Sequence, residues 1–264
     1  MTDYVLAVSQ EEIRRYQFMA ERARVDEAGF WRRAGVGPGA VVADVGCGPA
    51  AVAVLVAELV GPDGRVIGIE PDPSARAAAA SVITAAGVGN VDVRPGTATD
   101  TGILAGSVDV VMIRHVLAHN GPDEQRIVDH LATLVRPGGS VYLLDVDGTA
   151  MRTLDIDPDL EDLPEKYLDL HRRRGNDLQV GLRLGKLLTR AALDVVLHQG
   201  RYVVAPLPPG MRPPPWAARE VMVAQGVASQ DDVRRWAAAF ARMDTAPVRP
   251  TGFVPFFVGI GTRR

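Results

Sequence analysis

Between about residue 40 and residue 147, short apolar runs alternate with longer stretches in which apolar residues recur every three or four positions. Short continuous apolar runs indicate buried strands, and the longer spacing indicates helices. Their alternation predicts a parallel sheet with helices on both faces. The predicted strands are Val41–Val45, Arg65–Ile69, Val91–Arg94, Val108–Ile113 and Val141–Val146. The helices predicted between them are Ala51–Leu59, Ser74–Ala86 and about 122–135.

The chain on either side of this region has other patterns. Residues 1–35 are helical in pattern and are predicted to form an N-terminal cap. Residues 148–180 are rich in acids and arginines and show weak periodicity. Residues 205–250 begin with a proline-rich stretch, which suits neither a helix nor a central strand, and continue with two helical patterns. We predict that both segments are insertions that lie as lids over the ligand-binding edge of the sheet.

Two further segments complete the predicted core. A helix and then the strand Asp194–Val204 occupy the continuation 181–204, and the strand Phe253–Gly261 ends the core within 251–264. These last two strands are predicted to pair like a hairpin. Together with residues 36–147 they predict an α/β fold, a Rossmann-like, seven-stranded, mostly parallel sheet with helices on both faces.

Composition narrows the classes of partner. The 264 residues carry a net charge of −3, so there is no electrostatic argument for nucleic acid, which calls for a basic stripe. The single cysteine allows neither an internal disulfide nor a cysteine-based zinc cluster. No apolar run approaches the ~20 residues of a membrane span, and the first thirty residues lack the apolar stretch of a secretion signal. These observations predict a cytoplasmic protein that binds neither nucleic acid nor membranes. A homodimer is compatible with the sequence but is not required by it.

The most informative stretch joins the first predicted strand to the helix after it. Asp44 is followed by Gly46 and Gly48, and a helix-forming run begins at Ala51. Such a turn exposes main-chain N–H groups to a ligand, because glycine has no Cβ in the way. The Asp44 carboxylate adds a negative charge, so the site suits a ligand with a cationic or hydroxyl-rich part better than a bare pyrophosphate.

At these residues and at four later segments the chain resembles the class I S-adenosylmethionine-dependent methyltransferases, in particular bacterial enzymes that act on small molecules. The matching segments, in order, are Asp44-Val45-Gly46-Cys47-Gly48, Glu70, Gly96-Thr97-Ala98, Asp109 and Arg136-Pro137-Gly138-Gly139. There are two departures. Ala50 stands where the family has a third glycine, and Thr97 stands where it has an acid.

The resemblance implies S-adenosylmethionine as cofactor and a set of residues that contact it. The glycine turn would lie against the methionine part, with Asp44 near the amino group. Glu70 would accept hydrogen bonds from two ribose hydroxyls, and Thr97 and Ala98 would flank the adenine. Tyr16, from the cap, would meet the carboxylate. The full predicted set is Tyr16, Asp44, Gly46, Cys47, Gly48, Glu70, Pro71, Thr97, Ala98, Arg114 and His115.

The chemistry implied by the resemblance is methyl transfer, which requires an aligned nucleophile and removal of its proton. In this family the loop after the fourth strand faces the methyl group, and here it contains His115 and His119, four positions apart. Either histidine is a candidate base, His115 is also a candidate cofactor contact, and structural packing is the alternative for both. Asp145, at the end of the fifth strand, could orient a histidine, bind a substrate amine or be solvated. No metal is predicted, because the acid run at Asp155 lacks the glycine of a calcium loop.

The predicted function is transfer of a methyl group from S-adenosylmethionine to an O or N atom of a small, largely apolar organic acceptor of the kind found in secondary metabolism. One alternative is a cofactor-binding protein of this fold that catalyses a cyclisation or rearrangement. An NAD-dependent oxidoreductase is another, because Gly46, Gly48 and Ala51 also fit the dinucleotide pattern. Asp44 argues against that reading, since it would repel a pyrophosphate. The acceptor itself is left open, as is attack by O, N or C.

Overall fold

The computed structural model describes residues 10–264. Within them one mixed sheet has helices on both faces. Its strands are β1 (Val41–Val45), β2 (Arg65–Ile69), β3 (Val91–Arg94), β4 (Val108–Arg114), β5 (Val135–Val146), β6 (Arg152–Leu154), β7 (Asp194–Pro206) and β8 (Thr251–Thr262). The α-helices are α1 (Gln10–Asp26), α2 (Ala28–Ala34), α3 (Ala51–Val60), α4 (Pro73–Ala86), α5 (Glu124–Leu134), α6 (Asp162–Arg173), α7 (Leu184–Arg190), α8 (Pro214–Ala217), α9 (Arg219–Ala224) and α10 (Gln230–Thr245). Short 3-10 helices span Leu117–His119, Pro158–Leu160 and Val180–Arg183.

The strand order is β3-β2-β1-β4-β5-β8-β6, and β7 pairs with the other edge of β8. Strands β1 to β5 are parallel, and β8 is antiparallel to its neighbours. The predicted fold class is confirmed, as is the pairing of the last two strands. Because β1, β2 and β4 are parallel neighbours, the loops that follow them gather at one edge of the sheet.

The sheet has eight strands within the described residues, one more than predicted. The additional strand is β6, which lies in the segment predicted as the first lid. It pairs with Thr251–Phe253, the part of β8 that extends beyond the stretch paired with β5. The longer strand would otherwise leave main-chain groups on that edge without partners, which explains why three residues of the insertion join the sheet.

Alternate residues of the central strands pack into two separate cores. Ala43, Val111 and Ile113 face the layer that contains α5 and α7. Val42 and Met112, one position away, face the layer that contains α2 and α3. A strand buried on both faces must be apolar at nearly every position, which is why β1 and β4 read as continuous apolar runs.

The two predicted insertions pack on each other. Helix α6, from the first, contacts α8 and α9, from the second, and α10 packs on the 3-10 helix Pro158–Leu160. The Asp162 carboxylate receives hydrogen bonds from Arg235 Nη2 at 2.7 Å and from Trp236 Nε1 at 2.9 Å. We call the helices of residues 158–173 and 214–245 the helical lid. The division of the chain into a separate cap, core and insertions remains a prediction.

Aromatic residues of the cap and the lid serve packing. Phe30 and Trp31 are buried in α2, and the large apolar side chains of the lid are buried at its centre, namely Trp216, Met222, Trp236 and Phe240. Within residues 10–264, no helix combines the length and the apolarity that crossing a bilayer requires.

Candidate active site

The glycine turn after β1 has a backbone that only glycine adopts readily. Gly46 has φ +74° and Gly48 has φ +53°. The N–H groups of Gly46 and Cys47 donate to the carbonyl of Ile69 at 2.8 and 3.2 Å, which ties the turn to the end of β2. A Cβ at Gly46 would lie only 2.5 Å from Val116 Cγ2. The turn is therefore in direct contact with the loop that follows β4.

Two buried carboxylates flank this turn. Glu70 is 6% exposed and accepts the N–H of Gly48 and that of Asp72, each at 2.9 Å. Burial raises the pKa of Glu70, and these two N–H groups oppose the rise. Each of its oxygens keeps a lone pair for a ligand hydroxyl. Glu70 is thus both a tether of the glycine turn and an available acceptor.

Asp44 is the other carboxylate. It is 4% exposed, and none of the residues that the structure describes donates a hydrogen bond to it. Burial raises its pKa to about 6, while the charge of Arg114 acts in the opposite direction. A buried carboxylate normally has a partner. The cationic amino group of a ligand at the glycine turn would supply one.

Cys47 and Ala50 complete the turn. The Cys47 side chain points into the core, where its Sγ lies 2.8 Å from the position of a Cβ on Gly68, so only its main chain can face a ligand. Burial raises the pKa of this thiol well above its usual range. Ala50, in place of the family's third glycine, is buried and has φ +61°. The alanine therefore keeps the left-handed backbone that this position requires.

The residues predicted around the adenine lie beyond Glu70. Thr97 and Asp100 close a turn, in which the N–H of each donates to the carbonyl of the other at 2.9 and 3.2 Å. Thr97 and Pro71 are exposed and Ala98 is partly buried against the core. The main chain joins the two regions, since the Glu70 N–H donates to the carbonyl of Arg94 at 3.1 Å.

The cap covers the glycine turn. The Tyr16 ring packs over Gly48, where a Cβ would lie 3.6 Å from its Cε1 atom. The guanidinium carbon of Arg15 lies 5.0 Å from the centre of the same ring, and Arg15 is 7% exposed. Tyr16 could be predicted from the sequence but Arg15 could not, because no local pattern distinguishes Arg15 from the other arginines of α1.

Arg114, the last residue of β4, is held by the cap. Its Nε and Nη2 donate to Glu27 at 2.9 and 2.5 Å, and the Tyr142 hydroxyl donates to the same carboxylate at 2.8 Å. Burial alone would lower the pKa of Arg114, but the negative charge of Glu27 raises it above its usual range. Direct contact between Arg114 and the cofactor stays a prediction, because Nε and Nη2 already donate to Glu27.

The loop after β4 contains both predicted histidines. His115 has φ +55°, an uncommon value for a residue other than glycine, and its N–H donates to the Leu144 carbonyl at 2.9 Å. Burial lowers the pKa of His115 well below its usual range, and Arg114 and Arg15 act in the same direction. At neutral pH this side chain is therefore an uncharged imidazole.

Asp145 holds this loop in place. It is 1% exposed, and its two oxygens accept the N–H of Ala118 at 3.1 Å and that of Val146 at 3.0 Å. Burial raises its pKa to about 7, and these main-chain donors limit the rise. Asp145 contacts the loop through a main-chain N–H group, so it is suited to position the histidines.

The helical lid brings two unpredicted residues to His119. The ring of His171 lies 5.0 Å from that of His119, and the Tyr167 ring packs on His171 at 4.3 Å. Burial lowers the pKa of His119 to about 4, with Arg15 and Arg174 adding to the effect, and that of His171 to about 3. Tyr167 and His171 are four positions apart on an amphipathic helix, but nothing in that spacing indicated which part of the core they would meet.

Comparison with known proteins identifies the family of the core. Residues 42–139 match a protein family described as a methyltransferase domain. The chain has a class I methyltransferase core. Among solved structures, an S-adenosylmethionine-dependent methyltransferase from Aquifex aeolicus is similar with a TM-score of 0.53 and 18% identity, over 70% of this chain and 89% of that one. The [4+2]-cyclase SpnF is similar with a TM-score of 0.54 and 15% identity, over 94% and 81%. At these identities the likeness shows the fold alone.

Relatives of this methyltransferase core are known from sequence. The arsenite methyltransferase of Halobacterium salinarum is 35% identical over 128 residues, which are 48% of this chain and 32% of the relative. The nocamycin O-methyltransferase of Saccharothrix syringae is 42% identical over 107 residues, which are 40% and 38%. The demethylmenaquinone methyltransferase of Geobacillus kaustophilus is 32% identical over 114 residues, 43% and 48%. The matches thus span a third to a half of these relatives.

S-adenosylmethionine is the cofactor of this family, and the residues present fit it. The glycine turn has a left-handed main chain with no side chain on Gly46 or Gly48. Asp44 is a buried acid with no hydrogen-bond donor in the described chain, and Glu70 keeps free lone pairs. The family match also favours a transferase over the NAD-dependent oxidoreductase. Among the described side chains no cluster of three or more acids, histidines or cysteines could hold a metal ion.

Proposed function

We propose that this chain transfers a methyl group from S-adenosylmethionine to an O or N atom of a small, largely apolar organic acceptor. The observation that carries the proposal is the contact between the glycine turn and the loop after β4, where a Cβ on Gly46 would meet Val116 at 2.5 Å. His115 directly precedes Val116, so the groups suited to the cofactor and the candidate catalytic histidines belong to adjoining loops of one site.

The cofactor side is built from fixed groups. The Gly46–Gly48 main chain would face the methionine part, the buried Asp44 carboxylate would hold the amino group, and Glu70 would accept the ribose hydroxyls. Tyr16 covers the turn from the cap. These groups are in place in the folded chain, so little ordering would accompany binding.

On the acceptor side, the chain's task is to align a nucleophile. The bound cofactor supplies a methyl group on a sulfonium, which is already a good leaving group. His115 and His119 are uncharged at neutral pH, because burial lowers the pKa of each, and can accept a hydrogen bond from an acceptor. Asp145 holds their loop through main-chain N–H groups. We assign His115 and His119 to the acceptor and Asp145 to positioning.

The size of the acceptor follows from what covers the site. Tyr16 lies over the glycine turn and His171 over His119, so the cap and the helical lid meet the site from two sides. An enclosed site admits a small molecule more readily than a protein or a nucleic acid. The net charge of −3 agrees with this choice. A cytoplasmic location remains a prediction.

The proposal is tested by binding of S-adenosylhomocysteine in isothermal titration calorimetry. The wild-type chain is expected to bind it. Gly46→Val is expected to lower the affinity at least about tenfold, since the added side chain meets Val116 and the backbone there is left-handed. Gly106→Ala is the matched control, because Gly106 also has a positive φ, +66°, but a Cβ there meets nothing within 4 Å.

Two results would contradict the proposal. One is a folded wild-type chain, verified by circular dichroism, that does not bind S-adenosylhomocysteine. The other is a Gly46→Val variant whose affinity equals that of Gly106→Ala. If Gly46→Val is folded by circular dichroism but binds more weakly, its reduced affinity reflects damage to the site and not unfolding.

A cyclisation or rearrangement of a bound acceptor is the second candidate. The observation in its favour is the pKa of His119, lowered to about 4, which makes this histidine a weak base. An intramolecular rearrangement need not remove a proton. With the true acceptor, mass spectrometry distinguishes the two functions, since methyl transfer adds one CH2 to the mass and rearrangement leaves it unchanged.

A further inference from the structure

Two arginines from the elements that cover the site act on its histidine loop. Arg15 lies in cap helix α1 and is 7% exposed, and Arg174 directly follows lid helix α6. Both guanidinium charges act on His119, where each disfavours an imidazolium. His119 is therefore within electrostatic reach of a cation from the cap and of a cation that follows lid helix α6.

The end of α6 is packed directly against the histidine loop. A Cβ on Gly121, shortly after His119, would lie 3.0 Å from the Cα of Asn176. The ring of His171 lies 5.0 Å from that of His119. Because Arg174 lies between His171 and Asn176 in sequence, these two contacts hold its main chain close to the same loop.

His171 adds a donor that has no acceptor. The Asn176 amide nitrogen lies 2.8 Å from His171 Nδ1, and an amide nitrogen only donates, so Nδ1 accepts and the hydrogen of the neutral ring is on Nε2. His171 is 1% exposed, and its Nε2 has no hydrogen-bond partner among the described residues. Buried N–H groups are normally paired, so this one indicates a missing acceptor atom.

We propose that the acceptor presents an anionic oxygen, that of a carboxylate or of an acidic enol, to Arg15, Arg174 and His171. The inference rests on the proposed methyl transfer and specifies its substrate class. The two guanidinium groups supply donors only, and the free nitrogen of His171, Nε2, carries a donor hydrogen. A guanidinium with five donors can bind an anion beside other partners. Charge-assisted hydrogen bonds of this kind are about twice as strong as neutral ones.

An anionic acceptor also explains the weak base. One oxygen lone pair forms the new O–CH3 bond as the bond between that carbon and the sulfonium sulfur breaks, and the electron pair of the broken bond stays on sulfur. Two opposite charges are neutralised, and no proton has to leave. His119, with its pKa lowered to about 4, would be a poor base for an ordinary phenol but is not needed as a base here.

The first test is binding to the full chain loaded with S-adenosylhomocysteine. Benzoate is compared with benzamide, and the enolate of dimedone with its neutral O-methyl ether. We expect each anion to bind at least about tenfold more tightly than its neutral partner. Arg174→Gln should remove that preference. Arg172→Gln is the matched control two positions earlier, in α6, because the Arg172 side chain is 74% exposed, and it should bind within about twofold of wild type.

Equal affinity for anion and neutral partner would overturn the inference, as would identical behaviour of Arg174→Gln and Arg172→Gln. Because loading with S-adenosylhomocysteine is measured first, failure at that step contradicts the proposed function, whereas failure of anion selectivity in the loaded protein contradicts only this inference.

The second test is the product formed from cofactor with a tritiated methyl group and a library of organic acids, enols, phenols and amines. A base-labile methyl ester identifies a carboxylate acceptor, and an acid-labile enol ether identifies an enol. Either product supports the inference. An aryl ether that resists both treatments, or an N-methyl product, would overturn it.

Discussion

Arg114 and Glu27 form a buried ion pair of two hydrogen bonds, from Nε to Oε2 at 2.9 Å and from Nη2 to Oε1 at 2.5 Å. Glu27 separates the two helices of the cap, and Arg114 ends the strand that leads into the histidine loop. The exposed fractions of the two side chains are 6% and 10%. The pair therefore joins the cap to the site through groups that water barely reaches.

Glu27→Ala is expected to destabilise the protein by about 3–5 kcal/mol, because it leaves the Arg114 charge buried without its partner. The control is Glu58→Ala. Glu58 pairs with Arg24 at 2.6 Å and also joins the cap to the core, but that pair is about half exposed. Its loss should cost less than about 1 kcal/mol. Urea unfolding measures both values, and equal losses would contradict the role given to burial.

Asp44→Asn should change how stability depends on pH. Burial raises the pKa of folded Asp44 from 3.8 to about 6. A raised folded-state pKa means that its contribution to stability is complete below pH 4 and is lost as pH rises through about 6. The variant should not show this decrease in the free energy of unfolding. At about 1.4 kcal/mol per pKa unit, the decrease in the wild type is at most about 3 kcal/mol.

Urea unfolding of wild type and variant between pH 4 and pH 8 measures the difference, and other titrating groups cancel because both proteins share them. Asp63→Asn, at an exposed loop position, is the control. The same Asp44→Asn variant should bind S-adenosylhomocysteine more weakly. Stability curves that run parallel over the whole range would show that Asp44 ionises without a burial cost.

Asp145→Asn is expected to lower turnover about tenfold or more while the affinity for S-adenosylhomocysteine stays within about threefold. An asparagine offers one acceptor oxygen where two are used, so a buried main-chain N–H of Ala118 or Val146 loses its partner, at a cost of about 1–3 kcal/mol. The loop with His115 and His119 would then be less well positioned.

Asp147→Asn is the matched control, because Asp147 follows two positions later and binds the turn at Thr149 and Ala150, outside the histidine loop. Turnover is measured with an acceptor found in the radiolabel assay. If both variants lose turnover equally, or if Asp145→Asn mainly weakens cofactor binding, then Asp145 does not act through the histidine loop.

Asp162→Ala should loosen the helical lid and leave the sheet unchanged. Asp162 joins the two insertions, since it accepts hydrogen bonds from Arg235 and from the Trp236 indole. Hydrogen exchange should accelerate in residues 158–173 and 214–245, with unchanged protection in β1 and β4. Asp169→Ala, which removes ion pairs within α6 alone, is the control. Uniform acceleration across the chain would mean that lid and sheet unfold together.

Much of the fold could be predicted because its signals are local. Strands β1, β2 and β3 begin and end at the predicted residues, and β4 extends one residue further, to Arg114. β5 was predicted to begin at Val141, but it begins at Val135. Val135 precedes the Pro137-Gly138-Gly139 turn and already pairs with Val108 of β4. Strand β6 could not be predicted, because its three residues become a strand only where β8 offers them an edge.

The candidate site divides in the same way. Its glycine turn and Glu70 are recognisable because the chemistry depends on residues close together in sequence. Glu27, Arg15 and His171 were missed, since each acquires its meaning from a partner far along the chain. Glu27 is 87 residues from Arg114, and no periodicity connects the two.

By itself the sequence determined the class I methyltransferase core, because apolar periodicity and glycine-rich turns act over a few residues and specify strands, helices and the loops between them. Only the tertiary structure decided how the cap and the helical lid meet that core, and so which charges surround the acceptor. Those contacts depend on side chains brought together by packing over long sequence separations, where buried ion pairs and unpartnered donors arise from the assembled surfaces and not from any local pattern.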